Sequence, residues 1–186
     1  MSHVRDASDM KAVALKVPIL TTPRLRLEPL SLAHSAGMFA MWQQDAVQKY
    51  SGPAHDEYGD PIRLPARSDN DSDKLIRFWI KAAADGWGFR WALLSKESAA
   101  FIGHIGFNSL ANCSEIAYHL NPDFWGQGLM REAARTAISW RKEGGASQIE
   151  AFIDEDNTGS KALALRLGMV ATDQFSEGAR RYLLAL

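Results

Sequence analysis

The chain has 186 residues, 46% of them hydrophobic and 23% charged, which is the length of one domain with enough apolar side chains for a core and excludes wholesale disorder or a collagen-like repeat. Lys and Arg number 21 against 22 Asp and Glu, for a net charge of −1, so bulk charge gives no support to broad nucleic-acid binding. The single cysteine, Cys113, excludes an intramolecular disulfide and a Cys-rich zinc site and fits a reducing, cytoplasmic compartment, while the absence of any long apolar run argues against a signal peptide or a membrane span.

In chain order, residues 1–20 read as a loosely held leader. Arg24 to Glu28 alternates polar and apolar residues, the pattern of a half-buried strand, and Pro29 ends it. Ser31 caps a helix carrying Leu32, Met38, Phe39 and Trp42. Asp45 to Asp73 is rich in Gly, Pro, Asp and Ser and reads as a long irregular loop, of the kind that is functional or mobile. A helix over Ser72–Ala84 carries Leu75, Ile76, Trp79 and Ile80 and is broken by Gly86 and Gly88.

Strands follow at Phe89–Leu94, Phe101–Leu110 and Glu115–Leu120. Gly103 and Gly106 inside the second predict a bulge or a close backbone approach. Asn121-Pro122 stops the third. A helix runs from Leu129 to about Lys142 and is closed by Gly144-Gly145. Ile149–Ile153 is a strand. Asp156 or Asn157 caps a helix to Leu167, Gly168 stops it, and Arg180–Leu186 makes a last strand. The order predicts an α/β domain with a mixed sheet.

The segment richest in chemistry is Tyr118 to Ala133, read as strand, glycine turn and helix. A helix N-terminus presents unpaired N–H groups and the positive end of its dipole, and glycines let a phosphate approach the backbone. Trp125-Gly126-Gln127-Gly128 before Leu129 is therefore suited to a pyrophosphate. A Walker loop fails, because Gly128-Leu129-Met130 lacks the Lys-Ser/Thr pair. The dinucleotide fingerprint fails too, because Arg131 stands where a third glycine belongs.

Trp125-Gly126-Gln127-Gly128-Leu129-Met130 resembles the acyl-CoA pyrophosphate loop of the GNAT superfamily of N-acyltransferases, in the form typical of its RimJ/RimL branch. Thr22-Pro23-Arg24-Leu25-Arg26-Leu27, Glu115–Leu120, Ile149-Glu150-Ala151, Asn157-Thr158-Gly159-Ser160 and Leu167-Gly168-Met169 match further segments of that branch in order. The resemblance implies a single-domain acyl-CoA N-acyltransferase fold over 21–186, a mostly antiparallel mixed sheet of about six or seven strands with about four helices. It also implies transfer of an acetyl group from acetyl-CoA to a primary amine, and it makes a homodimer plausible. By the same resemblance, backbone groups of His119, Leu120 and Asn121 would hold the pantetheine. Trp125, Gly126, Gln127, Gly128, Leu129, Met130 and Arg131 would surround the pyrophosphate, and Asn157 and Ser160 would reach the pantetheine or the thioester.

The attacking amine must lose its proton, so a base is needed. Glu115 is the first candidate, with Glu150 and Glu177 as rivals. A backbone N–H near Leu120 is the expected oxyanion donor. Many relatives protonate the leaving thiolate with a tyrosine seven residues after the Asn, where this chain has Ala164, so Ser160 is the remaining hydroxyl. Asn157 and Ser160 also suit plain helix capping. Tyr50, His55, Asp56, Glu57, Tyr58 and Asp60 suit an ammonium-bearing acceptor or a solvated loop. No metal site is expected, and His104 and His119 read as strand histidines. A non-catalytic acyl-CoA-binding regulatory module is the alternative, and a toxin-like acetyltransferase of aminoacyl-tRNA is disfavoured by the net charge.

Overall fold

A computed structural model describes residues 15–186. Residues 1–14 of the expected leader lie outside the described residues. The rest of it, 15–20, is tied down: Leu15 N–H donates to Ala83 O at 3.0 Å and Trp91 Nε1 to Pro18 O at 2.7 Å. Strand β1, Leu20–Thr21, follows directly.

Next come β2 (Leu25–Pro29), a 3-10 turn (Leu32–His34), α1 (Ser35–Trp42), α2 (Asp45–Gln48) and α3 (Asp69–Asp85). The chain then makes β3 (Phe89–Ser95), β4 (Phe101–Ser109), β5 (Cys113–Leu120), a 3-10 turn (Pro122–Phe124) and α4 (Leu129–Glu143). It ends with β6 (Gln148–Ile153), α5 (Thr158–Arg166), β7 (Val170–Ser176) and β8 (Ala179–Ala185). The eight strands form one sheet, ordered β1-β2-β3-β4-β5-β6-β8-β7. All neighbours are antiparallel except β5 and β6.

Side chains alternate across a strand, so each strand feeds two layers. Leu25, Leu27, Phe89, Trp91, Leu93, Ile105, Phe107 and Ile116 face α4, which presents Leu129, Met130, Ala133 and Ala137. Ala92 faces the other way, onto α1 and α3 through Met38, Met41, Trp42, Leu75 and Ile76. The small residues of α4 let it lie close to the sheet, which fixes where its N-terminus points.

Three departures from the expected elements have local causes. Helix α3 begins at Asp69 because Asp71 Oδ2 accepts from Arg67 N–H at 3.0 Å and organises the start. The count rises to eight strands and five helices because β1 and β7 are edge strands and α2 is a single turn. Six of the seven residues of β7 are exposed, so it carries no buried face to read. The strand glycines mark close approach: a Cβ on Gly106 would lie 2.0 Å from Phe89 O, and one on Gly103 would lie 2.3 Å from His119 O.

Candidate active site

The parallel pair β5–β6 holds over only Cys113↔Gln148, Ser114↔Ile149 and Glu115↔Glu150. Beyond that point Ile116–Leu120 and Ala151–Ile153 part. Asn121 N–H donates to Ile102 O on β4 at 2.8 Å. By antiparallel alternation, the main-chain groups of Tyr118 and Leu120 therefore face the parting, and those of His119 face β4. Trp125 folds back so that Nε1 donates to Leu120 O at 2.8 Å. The Leu120 N–H and both main-chain groups of Tyr118 line an opening of the kind an added extended segment can pair with.

At the wide end of the parting lies the glycine turn. Gly126 and Gly128 adopt φ 73° and 74°, a region that favours glycine. A Cβ on Gly126 would meet nothing within 4 Å, so that side of the loop is open. Gly128 is the N-cap of α4 and has no side chain to cap it. The N–H groups of Leu129, Met130 and Arg131 precede the first intrahelical bond, Glu132 N–H to Gly128 O at 3.2 Å. The side chains of Leu129 and Met130 are buried in the core, so these residues offer backbone only, while Arg131 is exposed.

Glu115 and Tyr118 lie on opposite faces of β5. On the α1–α3 face, Asn108 Nδ2 donates to Glu115 Oε1 at 2.6 Å, and Asn108 Oδ1 accepts from Arg90 Nη2. Arg90 is 5% exposed, with its guanidinium carbon 3.5 Å from the Trp79 ring centre. Burial pushes its pKa down to about 9 against the opposing pull of Glu115. On the other face the Tyr118 hydroxyl faces Ser160, and burial raises the phenol above its usual range although Ser160 works to lower it. Ser160 N–H donates to Asn157 Oδ1 at 3.1 Å, so Asn157 caps α5 as expected and sets Ser160 beside Tyr118. Tyr118 is not among the site residues that the sequence leads one to expect. Its signal was its odd spacing from Glu115, which puts it on the α5 side.

The rival acids are engaged or remote. Glu150 Oε2 accepts from Arg181 Nε at 2.6 Å, and Glu177 is exposed in the β7–β8 turn.

His104 and His119 are a cross-strand pair with ring centres 5.0 Å apart, and Trp42 stands 4.6 Å from His119. His119 Nε2 lies 2.7 Å from Ser51 Oγ, but the Nδ1 atoms of both histidines are buried without a partner. Burial and then Arg90 hold His119 at a pKa of about 3, so its ring is neutral.

The chain on either side of α2 reaches the site. Gln44 Nε2 donates to Asn121 Oδ1 at 3.3 Å and the Tyr50 hydroxyl donates to Asp156 O at 3.2 Å. Asp56, expected among the acceptor-binding acids, is spent on its own turn, accepting from the N–H groups of Tyr58 and Asp60 at 2.9 and 3.0 Å. Trp91 is core, and Trp79 and Trp87 pack against Phe78. Among the described residues, no group of three or more His, Cys, Asp or Glu is placed to hold a metal ion, and no helix is long and apolar enough to cross a membrane.

A strand pair that parts beside a glycine-led helix N-terminus is suited to an extended ligand that ends in a phosphate group. Residues 24–170 match the acetyltransferase (GNAT) domain, and the chain belongs to that family. It is an acetyltransferase with acetyl-CoA as its cosubstrate. It is 28% identical over 155 residues to the uncharacterized N-acetyltransferase YoaA of Bacillus subtilis, covering 81% of this chain and 82% of that protein. Two solved structures share the fold at lower identity. One is RimL, a ribosomal L7/L12 alpha-N-protein acetyltransferase in complex with coenzyme A, with TM-score 0.73, 16% identity and coverage of 91% of this chain and 98% of that one. The other is the microcin C7 self-immunity acetyltransferase MccE in complex with acetyl-CoA and AMP, with TM-score 0.71, 18% identity and coverage of 89% and 94%.

Proposed function

We propose that the protein acetylates a primary amine, the N-terminal amine of a peptide or a small-molecule amine, by direct attack in a ternary complex. The observation that carries this reading is the division of groups across β5. Glu115 is held on one face by Asn108, and the Tyr118–Ser160 hydroxyl pair stands on the other. An amine approaching from the α1 side meets a carboxylate able to take its proton. A thiolate departing toward α5 meets a hydroxyl able to give one. The Tyr118 N–H, directed into the parting and nearer to Glu115 along β5, suits a developing oxyanion. The Tyr118 carbonyl and the Leu120 N–H suit the pantetheine, and the N–H groups of Gly128 to Arg131 suit the pyrophosphate. The Arg131 side chain is exposed beside that loop, free to add positive charge.

Thiol release from acetyl-CoA across a panel of short peptides, polyamines and amino acids tests the acceptor class. Glu115→Gln keeps an acceptor for Asn108 and removes the base, and it should lower kcat by about 10²–10⁴-fold near neutral pH. The defect should shrink as the pH nears the amine's own pKa, about 8 for a peptide N-terminus and about 10 for an alkyl amine. No turnover with any amine would overturn the acceptor assignment. An unimpaired Glu115→Gln would remove Glu115 from the chemistry.

A further inference from the structure

Glu132 stands in the first turn of α4, beside the N–H groups that suit the pyrophosphate. A free carboxylate there would repel the phosphates. It is not free. Thr22 donates its hydroxyl to Glu132 Oε1, Arg24 N–H donates to the same oxygen at 2.8 Å, and Arg24 Nε donates to Oε2 at 2.7 Å. Burial works to raise the Glu132 carboxyl, but these donors outweigh it and hold the group below its usual range.

The same guanidinium reaches into the glycine loop. Arg24 Nη1 donates to Gln127 O at 2.9 Å, and Nη2 lies 3.7 Å from where a Cβ on Gly128 would stand. One arginine thus joins the carboxylate after the loop to a carbonyl inside it. Its own position is fixed by the turn between β1 and β2. Leu25 N–H donates to Thr22 Oγ at 2.9 Å, Thr22 N–H donates to Leu25 O at 2.9 Å, and Lys96 Nζ donates to Thr22 O. The planar fork of arginine can serve both partners at once, which a lysine cannot.

We propose that Arg24 is a positioning residue for acetyl-CoA: clamped to Glu132 and Gln127, it sets the shape of the Gly126–Gly128 loop and neutralises the carboxylate beside the pyrophosphate. The proposal rests on the reading of that loop as the pyrophosphate site. It assigns to the β1–β2 turn, far from β5 in sequence, a part in cosubstrate binding. Two effects are combined in the clamp, charge and shape, and Glu132 separates them. If Arg24 acted through charge alone, deleting the Glu132 charge would tighten binding. If the clamp sets the shape, deleting it loosens binding.

The test uses the full chain and its Arg24→Ala, Arg24→Lys and Glu132→Gln variants, each first checked for folding by thermal unfolding. The Arg24 side chain is 50% exposed, so these variants should fold. Coenzyme A is titrated calorimetrically, and S-acetylpantetheine, which lacks the pyrophosphate, serves as a second acetyl donor in steady state. Arg24→Ala should weaken coenzyme A by about tenfold, equivalent to about 1.4 kcal/mol. Arg24→Lys and Glu132→Gln should each weaken it severalfold, and kcat at saturating acetyl-CoA should stay within about twofold. With S-acetylpantetheine, kcat/KM should match the parent in all three variants. Coenzyme A binding unchanged in Arg24→Ala, tighter in Glu132→Gln, or an equal loss with S-acetylpantetheine would each overturn the clamp. A parent chain that does not bind coenzyme A would overturn the pyrophosphate reading itself, an outcome distinct from any variant result.

Discussion

Asn108→Ala probes the link between the buried charge and the candidate base. Asn108 is the shared partner: its Oδ1 accepts from Arg90 Nη2 and its Nδ2 donates to Glu115 Oε1 at 2.6 Å. Arg90 is 5% exposed, and its other hydrogen bond is to Phe89 O at 3.0 Å. Hydrogen bonds with an ionised partner contribute about 1.5–3 kcal/mol each. Losing both, with some relief from entering water, should destabilise the fold by about 3 kcal/mol. In a chain of this size that lowers Tm by about 6–12 °C. The substitution also releases Glu115 from its fixed orientation, so kcat should fall about tenfold, while KM for acetyl-CoA holds because the glycine loop is untouched. Asn108→Asp separates the two duties. Its carboxylate still pairs with Arg90, but it sets two acids against each other at Glu115, so Tm should recover more than kcat. Differential scanning calorimetry and steady-state kinetics on the three proteins decide the matter. A Tm within about 2 °C of the parent together with unchanged kcat would refute the argument.

Gly106→Ala would place a Cβ 2.0 Å from Phe89 O and 2.8 Å from Arg90 Cα, both backbone atoms, so β3 must move. A loss of about 2–3 kcal/mol or more is expected in urea unfolding, and a neutral result would show that the two strands can slide apart cheaply. His119 has a folded pKa of about 3 and His104 lies well below its usual value, both chiefly through burial. The unfolded chain therefore binds more protons below about pH 6.5, and stability falls as the pH drops from there toward 3. His119→Gln should flatten that fall by up to about 1.4 kcal/mol per pH unit, as read from urea midpoints at several pH values, and an unaltered slope would show that His119 titrates normally in the fold. Ser160→Ala and Tyr118→Phe should each lower kcat more than acetyl-CoA affinity. If both act on one proton path, the double variant should be little worse than the poorer single one, whereas multiplicative losses would show independent roles.

The mid-chain elements were written locally. Alternation at Arg24–Glu28, the apolar spacing of α3 and α4, and the stops at Gly86 and Gly144-Gly145 need no distant partner, because a strand's period and a helix's period are properties of consecutive residues. Asn157 as the cap of α5 and the open glycine turn at Gly126 and Gly128 belong with them, since a cap or a positive φ is decided within a few residues. Edge strand β7 was not readable in this way, because a strand exposed on both faces has no apolar face to show. What tertiary structure alone decided is pairing at long separation. The parting of β5 from β6 after Glu115 depends on β8 holding β6 while β4 holds β5. Meeting at a point in space likewise brought Asn108 between Arg90 and Glu115, Tyr118 against Ser160, and Arg24 onto Glu132, over separations that no local pattern encodes. Sequence by itself determined which backbone shapes and which reactive groups the protein has. The sheet decided which of those groups face each other, because hydrogen bonds and ion pairs form between neighbours in space and carry no trace in the spacing of residues along the chain.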